Sequence, residues 1–426
     1  MAVPKNDAIS RREMMQAIGA GSAAVLGAHM AGAAEDSPPS RPSGQKSALG
    51  LKHPPLDKVR VGMIGMGGRG TALMDELLKP DGVAIAAVCD IVPQRTAAAQ
   101  AHVATKGRPF PAGYSKNEHD FENLCQRDDV DLVYIATPWE WHAAMAVCAM
   151  NYGKHAAIEV PAAITLQECW DLVDASERTQ RHCMMLENCC YGETEMLVMN
   201  MVRQGVMGEL THGEAGYIHP YAEALLSTAD SSVWRRRHTM KLNGNLYPTH
   251  GLGPVALYMD IHGGDRFDYL VSMSSCQRSL GRCRSIMVEF SLAAPRPYSR
   301  INLVSGTGGT FADYPPRLAL KGKEDAWESD LAPYFEKYGH PLWRQQKKEA
   351  LKSGGHGGMD YLLNWRLIQC LRAGRPLDMT VYDAAAWSSV FPLSVASVAK
   401  GSVPVSVPDF TRGQWKTPRP LLAADA

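Results

Sequence analysis

A short apolar strand, Val59-Arg60-Val61-Gly62-Met63-Ile64, runs straight into Gly65-Met66-Gly67-Gly68-Arg69-Gly70, and a helical pattern follows through Leu78. Few features constrain a fold as tightly as this one. A G-x-G-x-x-G turn between strand and helix needs its glycines for a tight bend, for close approach of backbone to a pyrophosphate, and for close helix–strand packing. The helix N-terminus then presents unpaired N–H groups and a positive dipole to phosphate charge. The motif alone is weak, but Asp90 closes the next apolar stretch, 20 residues after Gly70. An acid there accepts bonds from a ribose and opposes a 2′-phosphate, which predicts NAD as the cofactor in preference to NADP.

Strand and helix go on alternating at short intervals. Apolar strands are predicted at 83–89, 131–136, 154–158 and 182–186, with helices from Pro93, over 142–152 and over 166–179. That rhythm predicts a Rossmann domain, a doubly wound parallel sheet, over 58–188. Ligands of such sheets lie at the carboxyl ends of the strands, so the loops Thr137-Pro138-Trp139-Glu140-Trp141-His142 and Glu159-Val160-Pro161 can reach the cofactor. After Tyr191 the texture changes. A helix over 193–203 precedes strand-like stretches at 213–219, 267–275, 285–292 and 300–305, with helical stretches at 248–261 and 359–373. Strands in series predict a second, α+β domain over 189–400 with an open, mainly antiparallel sheet, and a C-terminal tail over 401–426.

The ends and the bulk composition narrow the setting. Residues 1–34 carry Ser10-Arg11-Arg12 before a weakly apolar Ala/Gly stretch that ends in Ala31-Gly32-Ala33, the pattern of a twin-arginine export signal. Export to the periplasm is the expectation. Residues 35–57 are rich in Pro and Ser without periodicity and read as a linker. Lys+Arg and Asp+Glu both total 44, so bulk charge recruits neither nucleic acid nor an anionic membrane. No stable membrane anchor is expected. The chain has 10 cysteines, but Cys89, Cys125, Cys148, Cys169 and Cys183 sit inside apolar patterns, and Cys189-Cys190 lacks metal-ligand spacing. Buried thiols are expected in preference to disulfides. His212, His219 and His262 have no ligand spacing with acids or cysteines, so no metal is predicted.

Several longer segments then carry a resemblance: DLVYIATPWEWH (131–142), GKHAAIEVPAA (153–163), HCMMLENCCYGE (182–193), WRRRH (234–238), NGNLYPTHGLGP (243–254), DRFDYLVSMSS (265–275) and GGHGGMD (354–360). On these, the chain resembles the Gfo/Idh/MocA oxidoreductase superfamily and, within it, glycoside hydrolase family 109, the NAD-dependent α-N-acetylgalactosaminidases. The resemblance implies that Gly68, Arg69, Asp90, Trp139, Glu140, Trp141, His142, Glu159, Val160 and Asn188 hold NAD, beside Gly65 and Gly67 of the turn. It implies a sugar site of Tyr217, Arg235, Tyr247, Pro248, Thr249 and His250, with Tyr247 also near the cofactor and Tyr314 a looser candidate. Many dehydrogenases of the wider superfamily carry Glu-Lys-Pro, whose lysine serves acid/base chemistry. Glu159-Val160-Pro161 has no lysine, which agrees with the hydrolase branch. Between Ser275 and Ser285 the chain is shorter than the family pattern, which leaves sugar preference open.

The implied chemistry differs from that of ordinary glycosidases, which set two carboxylates across the scissile bond. Transient oxidation at C3 makes the C2 proton acidic; elimination and water addition follow, and the hydride returns, so NAD is regenerated. His250 is the expected acid/base residue, because imidazole titrates near neutral pH, and Tyr247 lies three residues before it. The substrate is a small sugar or glycan, and superfamily relatives often pair as homo-oligomers. Two competing readings stay open: a sugar oxidoreductase with net NAD turnover, and a NAD- and sugar-binding protein without catalysis.

Overall fold

The computed structural model describes residues 40–219, 230–273, 285–292, 297–322 and 326–418. The export signal read over 1–34 and the shortened segment at 276–284 lie outside the described residues. Six parallel strands form the first sheet: β1 (Val59–Ile64), β2 (Val83–Cys89), β3 (Ala112–Tyr114), β4 (Leu132–Ile135), β5 (His155–Ile158) and β6 (Cys183–Met185). Their order is β3-β2-β1-β4-β5-β6, so the chain reverses its direction of winding between β1 and β4. Every residue of β4 and β5 is buried, as expected for strands covered by helices on both faces. The helices that follow β1, β4 and β5 are α1 (Gly68–Leu77), α2 (Trp139–Asn151) and α3 (Leu166–Thr179). In α3 the Thr165 hydroxyl accepts from the Glu168 N–H while the Glu168 side chain accepts from the Thr165 N–H, a reciprocal cap that fixes where the helix starts.

A second sheet has the order β12-β11-β10-β7-β9, built from β7 (Leu210–Ile218), β9 (Ser285–Ser291), β10 (Leu303–Gly306), β11 (Gly309–Ala312) and β12 (Arg317–Leu320). Only the β7–β9 pair is parallel, so the sheet is mainly antiparallel, in line with the expected fold class. One strand expectation needs correction. Among its described residues, 267–273, the stretch 267–275 contributes only β8 (Tyr269–Leu270), which pairs with β13 (Val405–Ser406) outside the large sheet. Asp265, Arg266 and Asp268 precede it and Tyr269 is exposed, so little apolar surface favours a longer strand there. The largest omission is a 19-residue helix, Val381–Ala399, which is buried nearly all round. It shows no polar face, and therefore no helical period to read.

The described part of the Pro/Ser-rich stretch, 40–57, has no regular structure, as its composition predicts, but from Arg41 onward it is not a free linker. The buried Glu177 carboxylate of α3 accepts from Arg41 Nε (3.0 Å), from the Tyr382 hydroxyl (2.6 Å) and from Arg412. One carboxylate thus ties three distant segments to the first domain. Every cysteine among the described residues is a free thiol, and no described helix is long and apolar enough to cross a membrane.

At the opposite end of the first sheet from its glycine turn, His53, His155 and His182 stack with ring centroids 4.4, 5.0 and 5.5 Å apart. The His182 N–H donates to His155 Nδ1 (3.1 Å), and Nε2 of His53 and of His182 is buried without a hydrogen-bond partner among the described residues. Burial pushes all three pKa values down, His182 to about 3, with Arg181 adding to the effect. Above the ordinary value of 6.5 the rings are neutral in folded and unfolded chain alike. Below it the unfolded chain takes up protons that the folded chain refuses, so stability falls as pH falls toward 3. The cluster's contribution to stability should be fully present above pH ~7 and fall as pH drops below it, with a limiting slope of about 1.4 kcal/mol per pH unit for the buried His182. His182→Leu should flatten that slope; an unchanged slope would remove the cluster as its cause.

Candidate active site

The carboxyl ends of β1, β2, β4, β5 and β6 lie along one edge of the parallel sheet, and the loops leaving them carry most of the predicted site. Gly65 turns the chain out of β1 at φ +89°, in the left-handed region that a side chain disfavours. A Cβ on Gly70 would stand 1.8 Å from the Gly65 carbonyl oxygen, so α1 packs on the turn by direct backbone contact. By contrast, a Cβ on Gly67 or Gly68 would meet nothing within 4 Å. The α1 N-terminus has no side-chain cap, which leaves its first N–H groups for a ligand. Asp90 accepts from the Met66 N–H (2.7 Å) through one oxygen and from the Val92 N–H (2.9 Å) through the other. The open glycine cradle, the uncapped helix and the nearby acid together fit a dinucleotide pyrophosphate and ribose.

The β4 loop divides its residues between two tasks. Trp139 is buried and stacks on Tyr247 at 5.7 Å. Trp141 turns to the other side, against His119 and Phe121. His142 is a clamp: its ring nitrogens lie 2.7 and 2.8 Å from the carbonyl oxygens of Pro161 and Thr137, holding the β4 and β5 loops together. Glu140 reaches His238 at 3.2 Å. Val160 is buried, and its N–H donates to Glu159. Arg69 does not stand free for a phosphate. Its Nε donates to Glu159 (2.8 Å) and its two terminal nitrogens donate to Asp360 (2.7 and 3.1 Å). Asn188 also donates to Asp360.

The predicted sugar residues gather beside this edge. Arg235, on the helix Asp230–Lys241, places its guanidinium 5.0 Å from the Tyr247 ring and 5.3 Å from the rings of Trp139 and Trp234. Tyr217, at the end of β7, lies 4.7 Å from Tyr247 and 5.6 Å from His250. Tyr298 continues the row to Tyr314. Pro248 caps the helix α4 (Thr249–Tyr258), whose first turn carries His250 directly after the buried Thr249.

His250 is oriented by a group that pattern reading missed. Its Nδ1 lies 2.7 Å from a carboxylate oxygen of Glu187, which is fully buried at the exit of β6. Burial works against the Glu187 carboxylate, but His250 opposite it holds its pKa below the usual range. Burial likewise works against the His250 imidazolium, yet Cys189 and Glu187 outweigh it and set that pKa well above the ordinary value. Burial raises the Cys189 thiol, so it stays protonated, and the lasting counter-charge is Glu187. Arg300 donates to Cys189 Sγ (3.1 Å) and pairs with buried Glu195. Glu187, Cys189 and His250 are ligand types within 4.8 Å of one another, and the Glu187 oxygen that faces His250 Nδ1 also accepts from the Cys189 backbone N–H. Burial pushes the Tyr247 phenol up to about 12, so it stays protonated and can donate a hydrogen bond at neutral pH.

Glu187 and Asp360 sit in two of the distinctive segments, HCMMLENCCYGE and GGHGGMD, and a carboxylate closing an apolar strand is the signal available for Glu187. Arg300 and Glu195 carry no such signal.

Comparison with known proteins agrees with this fold. Residues 59–187 match the model for the oxidoreductase family, NAD-binding Rossmann fold. Residues 191–285 and 281–417 match that for the glycosyl hydrolase 109 C-terminal domain. A glycosyl hydrolase family 109 protein of Solibacter usitatus is 47% identical, over 97% of this chain and 100% of its own. One from Shewanella pealeana is 45% identical, over 97% and 98%. Among solved structures, levoglucosan dehydrogenase in complex with NADH and levoglucosan superposes with a TM-score of 0.61 at 18% identity, over 82% of this chain and 100% of its own. An NAD-binding oxidoreductase from Klebsiella pneumoniae gives 0.64 at 19%, over 82% and 99%. Those two share the fold. With nearly full-length relatives at such identity and both halves matched, the chain is an enzyme of glycosyl hydrolase family 109, built on the NAD-binding oxidoreductase fold.

Proposed function

We propose that this enzyme hydrolyses terminal α-N-acetylgalactosaminides or closely related glycosides with NAD as a bound, regenerated cofactor. The observation that carries the reading is the Glu187–His250 pair, set beside Tyr247 and Tyr217 next to the glycine cradle, with Val160 where many dehydrogenases of this fold have lysine. Gly65, Gly67, Gly68, Asp90 and the loops after β4 and β5 would hold the cofactor. When bound, NAD supplies reversible hydride exchange at sugar C3, which acidifies the C2 proton. The protein's own groups do the rest. Glu187 keeps a proton on His250 Nδ1, so Nε2 is the atom that takes up and returns a proton. Tyr247, held protonated, donates to a sugar oxygen. Arg235, fixed over three aromatic rings, offers fixed guanidinium donors to sugar hydroxyls or an N-acetyl carbonyl. The aromatic walls exclude water and stack on the apolar face of a sugar.

The test is release of nitrophenol from p-nitrophenyl α-N-acetylgalactosaminide, read together with NADH absorbance. Many turnovers of nitrophenol without net NADH are expected. NADH accumulating with little nitrophenol would instead establish a sugar oxidoreductase. We propose also that Ser10-Arg11-Arg12 directs export by the twin-arginine route; a double lysine substitution at Arg11 and Arg12 should keep a fused reporter inside the cell.

A further inference from the structure

We infer that Asp360, remote in sequence from every predicted cofactor residue, is the positioning residue that sets the NAD cradle; this rests on the proposal that the enzyme binds NAD. Asp360 is 3% exposed and opens the helix Met359–Ala373, where the helix N-terminus favours its negative charge. One oxygen accepts from Arg69 Nη2 (3.1 Å) and Asn188 Nδ2 (2.7 Å). The other accepts from Arg69 Nη1 (2.7 Å) and stands 2.7 Å from His356 Nδ1. A carboxylate offers about four acceptor sites, so Asp360 is saturated by protein donors and has none left for a ligand. Burial works against its charge, but His356 and Arg69 hold its pKa far below the carboxylate range.

What Asp360 ties together is decisive. Arg69 belongs to the first turn of α1, beside the open face of Gly67 and Gly68. Asn188 leaves β6, three strands away from β1 in the sheet. The carboxylate therefore bridges the cofactor end of the sheet from the central strand β1 to the edge strand β6, and fixes the rotamer of Arg69 and the amide orientation of Asn188 at once. The turn before it is built to deliver it. His356, Gly357 and Gly358 all take positive φ (45°, 67° and 96°), and a Cβ on Gly358 would strike the Ala350 backbone at 2.9 Å. A second tie keeps the helix in register: the Tyr134 hydroxyl of β4 donates to Asn364 (2.9 Å), whose amide donates to the Asp360 carbonyl (2.8 Å).

The experiment is NAD titration of the purified mature enzyme, stripped of nucleotide, with glycosidase rates at low and saturating NAD. Asp360→Asn keeps the shape and removes the charge. It should weaken NAD binding about tenfold or more, the size of losing charge-assisted hydrogen bonds. Its rate should return to within about twofold of wild type at saturating NAD, with the sugar KM unchanged. His356→Ala changes a mostly exposed side chain and spares the fold; it should weaken NAD binding by a smaller factor, about two- to fivefold. Wild-type NAD affinity in both variants, or a rate in Asp360→Asn that saturating NAD does not restore, would overturn the inference alone. Wild-type enzyme that binds no NAD would overturn it together with the reading beneath it.

Discussion

Replacing His250 by alanine should reduce glycosidase turnover by about 10²- to 10⁴-fold, the range for loss of a positioned acid/base group, while NAD stays bound. The side chain lies on α4, outside the glycine turn, and its bonded partner is Glu187, which is not part of the cradle. Losing the imidazole also leaves the Glu187 carboxylate buried without its counter-charge, so a drop in thermal midpoint should accompany the rate loss. Glu187→Gln separates the two effects. It keeps the volume and removes the charge that holds the His250 pKa up. With that pKa lowered, neutral His250 is present at lower pH, and the rising limb of kcat/KM should move toward acid. A His250→Ala enzyme with a near-wild-type rate would take His250 out of the mechanism, and an unmoved limb in Glu187→Gln would break its link to Glu187.

The glycine turn supports a second prediction of comparable size, because its positions fail for different reasons. Gly70→Ala sets a methyl group 1.8 Å from the Gly65 carbonyl oxygen, and backbone on both sides cannot yield cheaply. Overpacking of this kind costs about 1–3 kcal/mol or more, and the turn it distorts is the cradle itself. Both the thermal midpoint and NAD binding should fall. Gly68→Ala places its methyl group in open space, so the midpoint should hold. That open space is where a pyrophosphate would lie, and NAD binding should still drop by about tenfold or more, since a misplaced methyl group in a close-fitting site costs a tenfold factor for each 1.4 kcal/mol. If Gly68→Ala bound NAD normally, the cradle would not be the binding surface. If Gly70→Ala left both quantities unchanged, the contact between α1 and the turn would be looser than its geometry shows.

Much of the first domain is legible in the sequence, because its signals are local. The glycines of 65–70, Asp90 and the short apolar runs of β1, β2, β4 and β5 each announce themselves within a few residues, and parallel order follows from the alternation with helices. The second sheet is legible as strands but not as pairings. Nothing within 285–292 says that β9 lies parallel to β7, and β11 and β12, with four residues each, are too short to show a period. The helix Val381–Ala399 escapes for the opposite reason: its surroundings are apolar on nearly every side.

The same division runs through the site. Residue type and motif bring out Tyr247, His250, Arg235 and the β4 and β5 loops, but not the groups that hold them. Glu187 meets His250 across 63 positions of chain and Asp360 meets Arg69 across 291, and no period or motif encodes a contact of that span. The physical reason is that a buried charge must find its partner in space, whereas a sequence pattern reports only neighbours along the chain. The nucleotide cradle and the types of side chain at the cleft are therefore written in the chain itself. Which of those side chains are fixed, which keep a proton and which are clamped in pairs follows from the packing of the second domain against the strand ends.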